Sequence, residues 1–115
     1  MKIKFILDSP LLNRKGVSME WTFPVLPRKG ECIFPEVIMK QSDIIANYEK
    51  HLSEKGSEDF NHFASKDENG NIDVIVYVWL YEVIAEINIV RDIQYRLDDE
   101  DCSQIMAVIT LSDKE

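Results

Sequence analysis

The chain has 115 residues, with 13 Lys+Arg against 21 Asp+Glu and a formal net charge of −8. Its 45% hydrophobic and 30% charged residues supply enough apolar material for a packed core and exclude a disordered chain. The negative balance works against nucleic-acid partners and anionic membrane surfaces, both of which are held by Lys and Arg, and favours a basic protein partner instead.

The length fits one domain over residues 1–115. The N-terminal apolar run is broken by Lys4 and ended by Asp8, so it lacks the core of a secretory signal. The longest apolar stretch, 74–90, contains Glu82, Glu86 and Asn88 and falls short of a membrane span. A soluble, cytoplasmic protein without a membrane partner is expected. Cys32 and Cys102 are too few for a disulfide framework and are expected as reduced thiols.

Ile3, Phe5 and Leu7 alternate with Lys2 and Lys4, which predicts a half-buried strand. Asn13, Arg14, Lys15 and Gly16 make a turn. Val17, Met19, Trp21 and Phe23 then alternate with Ser18, Glu20 and Thr22, predicting a second strand paired with the first as an antiparallel hairpin. Pro24 and Pro27 cannot donate to a ladder, so 24–30 is a corner that ends at Gly30. Residues 31–34 read as a short strand closed by Pro35.

Ile44, Ile45, Tyr48 and Leu52 form a helical stripe, predicting a helix over 42–54 with Ser42 as N-cap and Gly56 as its stop. Pro35 as the first residue of an earlier helix is the open alternative. Residues 55–71 are polar and read as a loop with one helical turn near 58–63, so that 42–71 is an excursion from a β framework. From Ile72 to Leu97 both faces of an alternating pattern are apolar and rich in β-branched residues, which predicts strands. A run of that length must bend near 82–88 and again near 91–92. Asp98, Asp99, Glu100 and Asp101 form an acidic turn, and Ile105, Ala107, Ile109 and Leu111 form the last strand. The expected fold is mainly β, with one inserted helix: a small antiparallel barrel or strongly curved sheet.

Catalytic and metal signals are thin. Ser65, Asp67, Asn69, Gly70, Ile72 and Asp73 imitate part of a calcium loop, but Ser65 replaces the first carboxylate and Val76 the bidentate Glu. The simpler reading is an Asn69-Gly70 hairpin turn into the Ile72 strand. His51 with Glu54 makes half a metal site at best, and His51 with His62 has no ligand spacing. Ser57, Ser65, Ser103 and both cysteines lack a nucleophile elbow. Glu82 and Glu86 would share a strand face as an acid–base pair, or simply face solvent. The aromatics Trp21, Phe23, Tyr77, Trp79 and Tyr81 are expected as core. No catalytic residue, metal or cofactor is expected.

The order Trp21-x-Phe23-Pro24-x-x-Pro27-Arg28-Lys29-Gly30-Glu31-x-Ile33 resembles a corner in short bacterial proteins of unknown function, where it leads into the second half of an SH3-like small β-barrel. It covers about a dozen residues. The resemblance implies a barrel and brings no catalytic residues with it. The leading functional expectation is a non-enzymatic protein-interaction module. Its expected binding residues are Pro27, Arg28 and Lys29 at the corner and Asp98, Asp99, Glu100 and Asp101 at the acidic turn, with self-association through a sheet edge as a further expectation. The alternatives are an acidic nucleic-acid mimic or inhibitor, which needs its charge on one face, and a small hydrolase using Glu82 and Glu86.

Overall fold

The computed structural model describes residues 1–66 and 70–113. Two hairpins and a run of helices build it. Strand β1 (Lys2–Leu7) pairs antiparallel with β2 (Val17–Glu20), placing Ile3 opposite Met19 and Phe5 opposite Val17. Strand β3 (Ile89–Leu97) pairs antiparallel with β4 (Ile105–Ser112). The hairpins join through β1 and β4, which run parallel, with Ile3 opposite Ala107 and Phe5 opposite Ile109. The result is a four-stranded mixed sheet in the order β2-β1-β4-β3. The helices α1 (Pro35–Gln41), α2 (Tyr48–His51), α3 (Glu54–Ser65) and α4 (Ile72–Ala85) lie in sequence between β2 and β3.

Alternation decides which sheet face they cover. Ile3, Phe5, Val17, Met19, Ala107, Ile109 and Leu111 are buried on one face, whereas Lys2, Lys4, Ser18, Gln94 and Arg96 on the other retain solvent contact. Ile38 and Met39 of α1, Phe60 of α3 and the inner side of α4 complete a continuous core against that face. Phe60 sits between Tyr48 and Trp79, with ring centroids 5.2 and 5.4 Å away. The indole nitrogen of Trp79 donates to Asp59 at 2.9 Å, so this large side chain is buried without a stranded donor.

The mainly β barrel is therefore corrected. The described residues are 34% helix against 27% strand, and the sheet is open. The principal error falls on residues 72–85, a helix and not a strand. Every position from Val74 to Leu80 is apolar, so alternation carried no information there. The buried set Ile75, Val76, Trp79, Leu80, Val83 and Ile84 repeats every three to four residues, the helical spacing. Asn71 caps the start by accepting a hydrogen bond from the Asp73 amide at 2.8 Å. The expected bend at 82–88 is where this helix ends and β3 begins, but the bend expected at 91–92 does not break the strand: β3 runs on through it with a register shift between Val90 and Asp92.

The predicted 42–54 helix is also corrected. Pro35 opens α1 at its first position, and Ser42 caps the end of that helix, its hydroxyl donating to the Ile38 carbonyl. The polar segment read as a loop is α3, started by Ser53, whose hydroxyl oxygen accepts from the Gly56 amide at 3.0 Å. Gly56 is not a helix stop. It lies in the first turn of α3 against the Leu11 carbonyl, where a Cβ would overlap that oxygen. The acidic turn between β3 and β4 stands as expected, and the first hairpin forms, but its second strand ends at Glu20, so that Trp21 and Phe23 lie beyond it and Phe23 is exposed rather than core. Residues 31–34 make only an isolated bridge, Cys32 with Ile89.

Candidate interaction surfaces

The two groups of expected binding residues lie at opposite ends of β3. At its start, the amide of Gly30 donates to Val90 and that of Val90 donates to Glu31, both at 2.8 Å. The Ile33 amide donates to Asn88, and the Asn88 side chain returns a bond to the Ile33 carbonyl at 2.9 Å. Gly30 makes the turn with φ +86°, a conformation that side chains rarely adopt. Pro27 is buried, and Arg28 and Lys29 are exposed. The acidic turn lies past the other end, eight residues of extended chain or roughly 25 Å from Val90. The fold does not bring the corner and the turn into one site.

The turn is tied to the sheet by β1. The Lys2 ammonium lies 3.0 Å from Asp98 and 3.5 Å from Glu100, and that of Lys4 lies 3.9 Å from Asp99. The Asp98 carboxylate accepts from the Glu100 amide and from Lys2, which together hold its pKa below the usual carboxylate value. Its hydrogen bond holds the Lys2 pKa above the usual lysine value. Asp101 is lowered by the Ser103 hydroxyl and then by the Ser103 amide. A cleft of about 620 Å³ opens here, with Lys2, Glu20, Asp98 and Ile105 in its wall. Its one lysine is already engaged by two carboxylates, so the turn acts first as a clamp on the hairpin end.

Other candidates separate. The calcium-like segment falls partly on residues 67–69, outside the described residues, as does the Asn69-Gly70 turn; Asp73 and Val76 belong to α4. His51 ends α2 whereas Glu54 opens α3, so they do not share a helix. Burial pushes the His51 pKa down, opposed by Asp43 at 3.9 Å. Among the described residues, no three His, Cys, Asp or Glu side chains are grouped to hold a metal ion. Cys32 and Cys102 are both free and exposed. Glu82 and Glu86 are exposed one helical turn apart and do not face each other across a cleft. Carboxylates are spread over β2, all four helices and β3. Among the described residues, no helix is long and apolar enough to cross a membrane.

Sequence reasoning missed two surfaces. The first is the outer side of α4. Val74 and Val78 are 59% and 40% exposed there, and Tyr77 and Tyr81 stack beside them at 6.2 Å. A groove of about 270 Å³ between α3 and α4 is lined by Phe63, Lys66, Val74 and Val78. A second, of about 320 Å³, is lined by Tyr77, Val78, Tyr81 and Glu82. They meet at Val78 in one apolar strip with a cation at one end and a carboxylate at the other. A helix apolar on every side normally has neighbours on every side. The all-round apolar composition is visible in the sequence, but it does not tell which side is left uncovered.

The second surface is the end of the sheet. Leu97 and Ile105 pair across β3 and β4, and both are more than half exposed although they lie on the covered face. Tyr95, also on that face, is 60% exposed, and the helical layer does not reach it. No protein-family model, curated protein or solved structure matches the chain. Geometry therefore defines the class: a layer of helices on one face of an open mixed sheet, with an apolar outer helix side and an open edge.

Proposed function

We propose that this protein is a non-enzymatic protein-interaction module whose docking surface is the outer side of α4. The observation that carries the reading is the apolar strip from Phe63 of α3 to Tyr81 of α4, both half-buried, with Val74 and Val78 exposed between them on a helix whose other side is already buried. Exposed apolar surface of this kind is costly to leave wet and marks recognition sites. Lys66 and Glu82 at its ends favour a partner helix with one apolar face, laid with its acidic end toward Lys66 and its basic end toward Glu82. The charge of −8 supports a protein partner over a nucleic acid. Arg28 and Lys29 at the corner, and Asp99 and Glu100 at the acidic turn, are separate charged surfaces for further contacts.

A photo-crosslinking residue placed at Val78 of the full chain in its native cells tests this. Adducts with a second protein are expected at Val78, and none from exposed Ser18 on β2. A Val74→Lys change should suppress the Val78 adducts. Equal adducts from both positions, or none from Val78, overturn the reading.

A further inference from the structure

We infer that a second copy of this chain adds to the outer edge of β3, antiparallel and centred on Gln94, to form one continuous sheet from both four-stranded sheets. The inference is independent of the docking surface on α4.

β3 ends the strand order, so one of its edges has no strand neighbour. The segment from Gly30 to Ile33 occupies that edge only at Asn88, Ile89 and Val90. Beyond the register shift at Val90–Asp92, no backbone group of the described residues pairs with it. The direction of the free groups follows from the ladder. The Asp98 amide donates to Gln104 on the β4 side. Backbone groups alternate sides along a strand, so those of Asp92, Gln94 and Arg96 also point to β4, and those of Ile93, Tyr95 and Leu97 point outward. Three consecutive outward donor–acceptor pairs form a template for another strand.

The side chains around them are self-complementary. With Gln94 opposite Gln94 of the second copy, Ile93 faces Tyr95 of the second copy in a close pair that exchanges two hydrogen bonds, and Tyr95 faces Ile93 in another. On the opposite face, Asp92 meets Arg96 of the second copy, and Arg96 meets Asp92. These are non-hydrogen-bonded positions, where side chains approach most closely. Among the described residues, neither Asp92 nor Arg96 is used in an ion pair within the chain. Tyr95, 60% exposed, gains an aliphatic neighbour on the apolar face.

Other registers are worse. Sliding by two residues toward the acidic turn sets Asp92 against Asp98 of the second copy. Sliding the other way drives the second strand into the Gly30–Ile33 segment held at Val90. Shifts by one residue set covered against uncovered faces. A foreign strand would gain the same backbone bonds but not the reciprocal charges, and this favours a second copy as the occupant.

Sedimentation equilibrium of the full chain at about 0.15 M salt tests the assignment. A dimer is expected for the native chain. Asp92→Arg and Arg96→Asp should each weaken it about 10-fold or more, because each places like charges opposite each other twice. Their far-UV circular dichroism should stay native, since Arg96 is exposed and Asp92 is half-exposed and bonded only by the Gln94 side chain, while the melting temperature falls only by what the lost dimer contributed. Mixing the two variants should restore a one-to-one dimer, because every facing pair is then opposite in sign. A monomeric native chain, or a dimer indifferent to both changes, overturns the inference. If Val78→Lys rather than the β3 changes dissolves a dimer, self-association runs through α4, and the edge assignment fails while the interaction surface on α4 stands.

Discussion

The two sides of α4 are built from nearly the same residue types and meet opposite fates. Ile75, Val76, Trp79, Leu80, Val83 and Ile84 are buried against the sheet and its helical neighbours. Val74 and Val78, on the same helix, are 59% and 40% exposed. The sheet repeats the lesson within one strand: Ile109 is fully buried and Ile105 is 56% exposed on the same face of β4. Apolar composition makes a surface available for burial. Whether a layer lies opposite it decides whether the burial happens within this chain or is left for another.

The contrast is broken most directly at Leu80. Leu80 has no solvent exposure, so Leu80→Ala leaves a cavity and should lower stability by about 3 kcal/mol. Urea unfolding followed by tryptophan fluorescence and far-UV circular dichroism measures this. A loss below about 1 kcal/mol would mean that the inner side is not packed as described.

Next in size is Gly56, which lets the first turn of α3 lie against the loop after β1. Gly56→Ala forces a Cβ into the Leu11 carbonyl, and one or the other backbone must move. A loss of about 2 kcal/mol is expected in the same measurement, with α3 displaced from Trp79. The Trp79–Asp59 bond at 2.9 Å should loosen with it, shifting the indole N–H resonance.

Protonation sharpens the comparison between the sheet end and the helical layer. Asp98 and Asp101 titrate below the usual carboxylate value in the folded chain. Their contribution is complete above about pH 3.9, the unfolded value, and is lost as pH falls through the lower folded values. His51, pushed down by burial in the helical layer, acts earlier. Below about pH 6.5 the unfolded chain takes up a proton that the folded chain resists, so stability falls from there toward the folded value. Melting temperature against pH should therefore show two descending limbs. His51→Gln should remove the upper limb and leave the acid one. A native profile flat through the upper limb counts against the burial of His51.

Much of the sheet was legible because its strands have one wet face. Lys2, Lys4, Ser18 and Glu20 punctuate β1 and β2, so the period of two survives in the sequence and points to the antiparallel hairpin, whose register the structure supplies. The helices were less legible for two opposite reasons. α4 is apolar on both sides, so it carries no contrast from which a period can be read. α3 is polar at most positions, with Phe60, Phe63 and Ala64 as its inward stripe. Its stability depends on Trp79, which is distant in sequence. β1 pairs parallel with β4, and the outer strands β2 and β3 do not meet, so the sheet is open where hairpins alone suggested closure. For the candidate surfaces, exposure at Val78 or Tyr95 depends on where the neighbouring layer stops, and no local pattern encodes that.

The smallest expected change in stability is the most telling about function. Val78→Lys replaces a 40% exposed side chain at a helix position that a lysine occupies well, with its stem along the strip and its ammonium in water. Stability should move by no more than about 0.5 kcal/mol, against about 3 kcal/mol for Leu80→Ala two residues away. Yet the new charge lies at the junction of the two grooves, where an apolar partner helix would have to desolvate it. In Val78→Lys, crosslinked adducts captured from the neighbouring position Val74 should fall sharply while the fold remains native. Adducts undiminished in that variant would place the partner elsewhere, and the exposed side of α4 would then be surface that this chain merely tolerates.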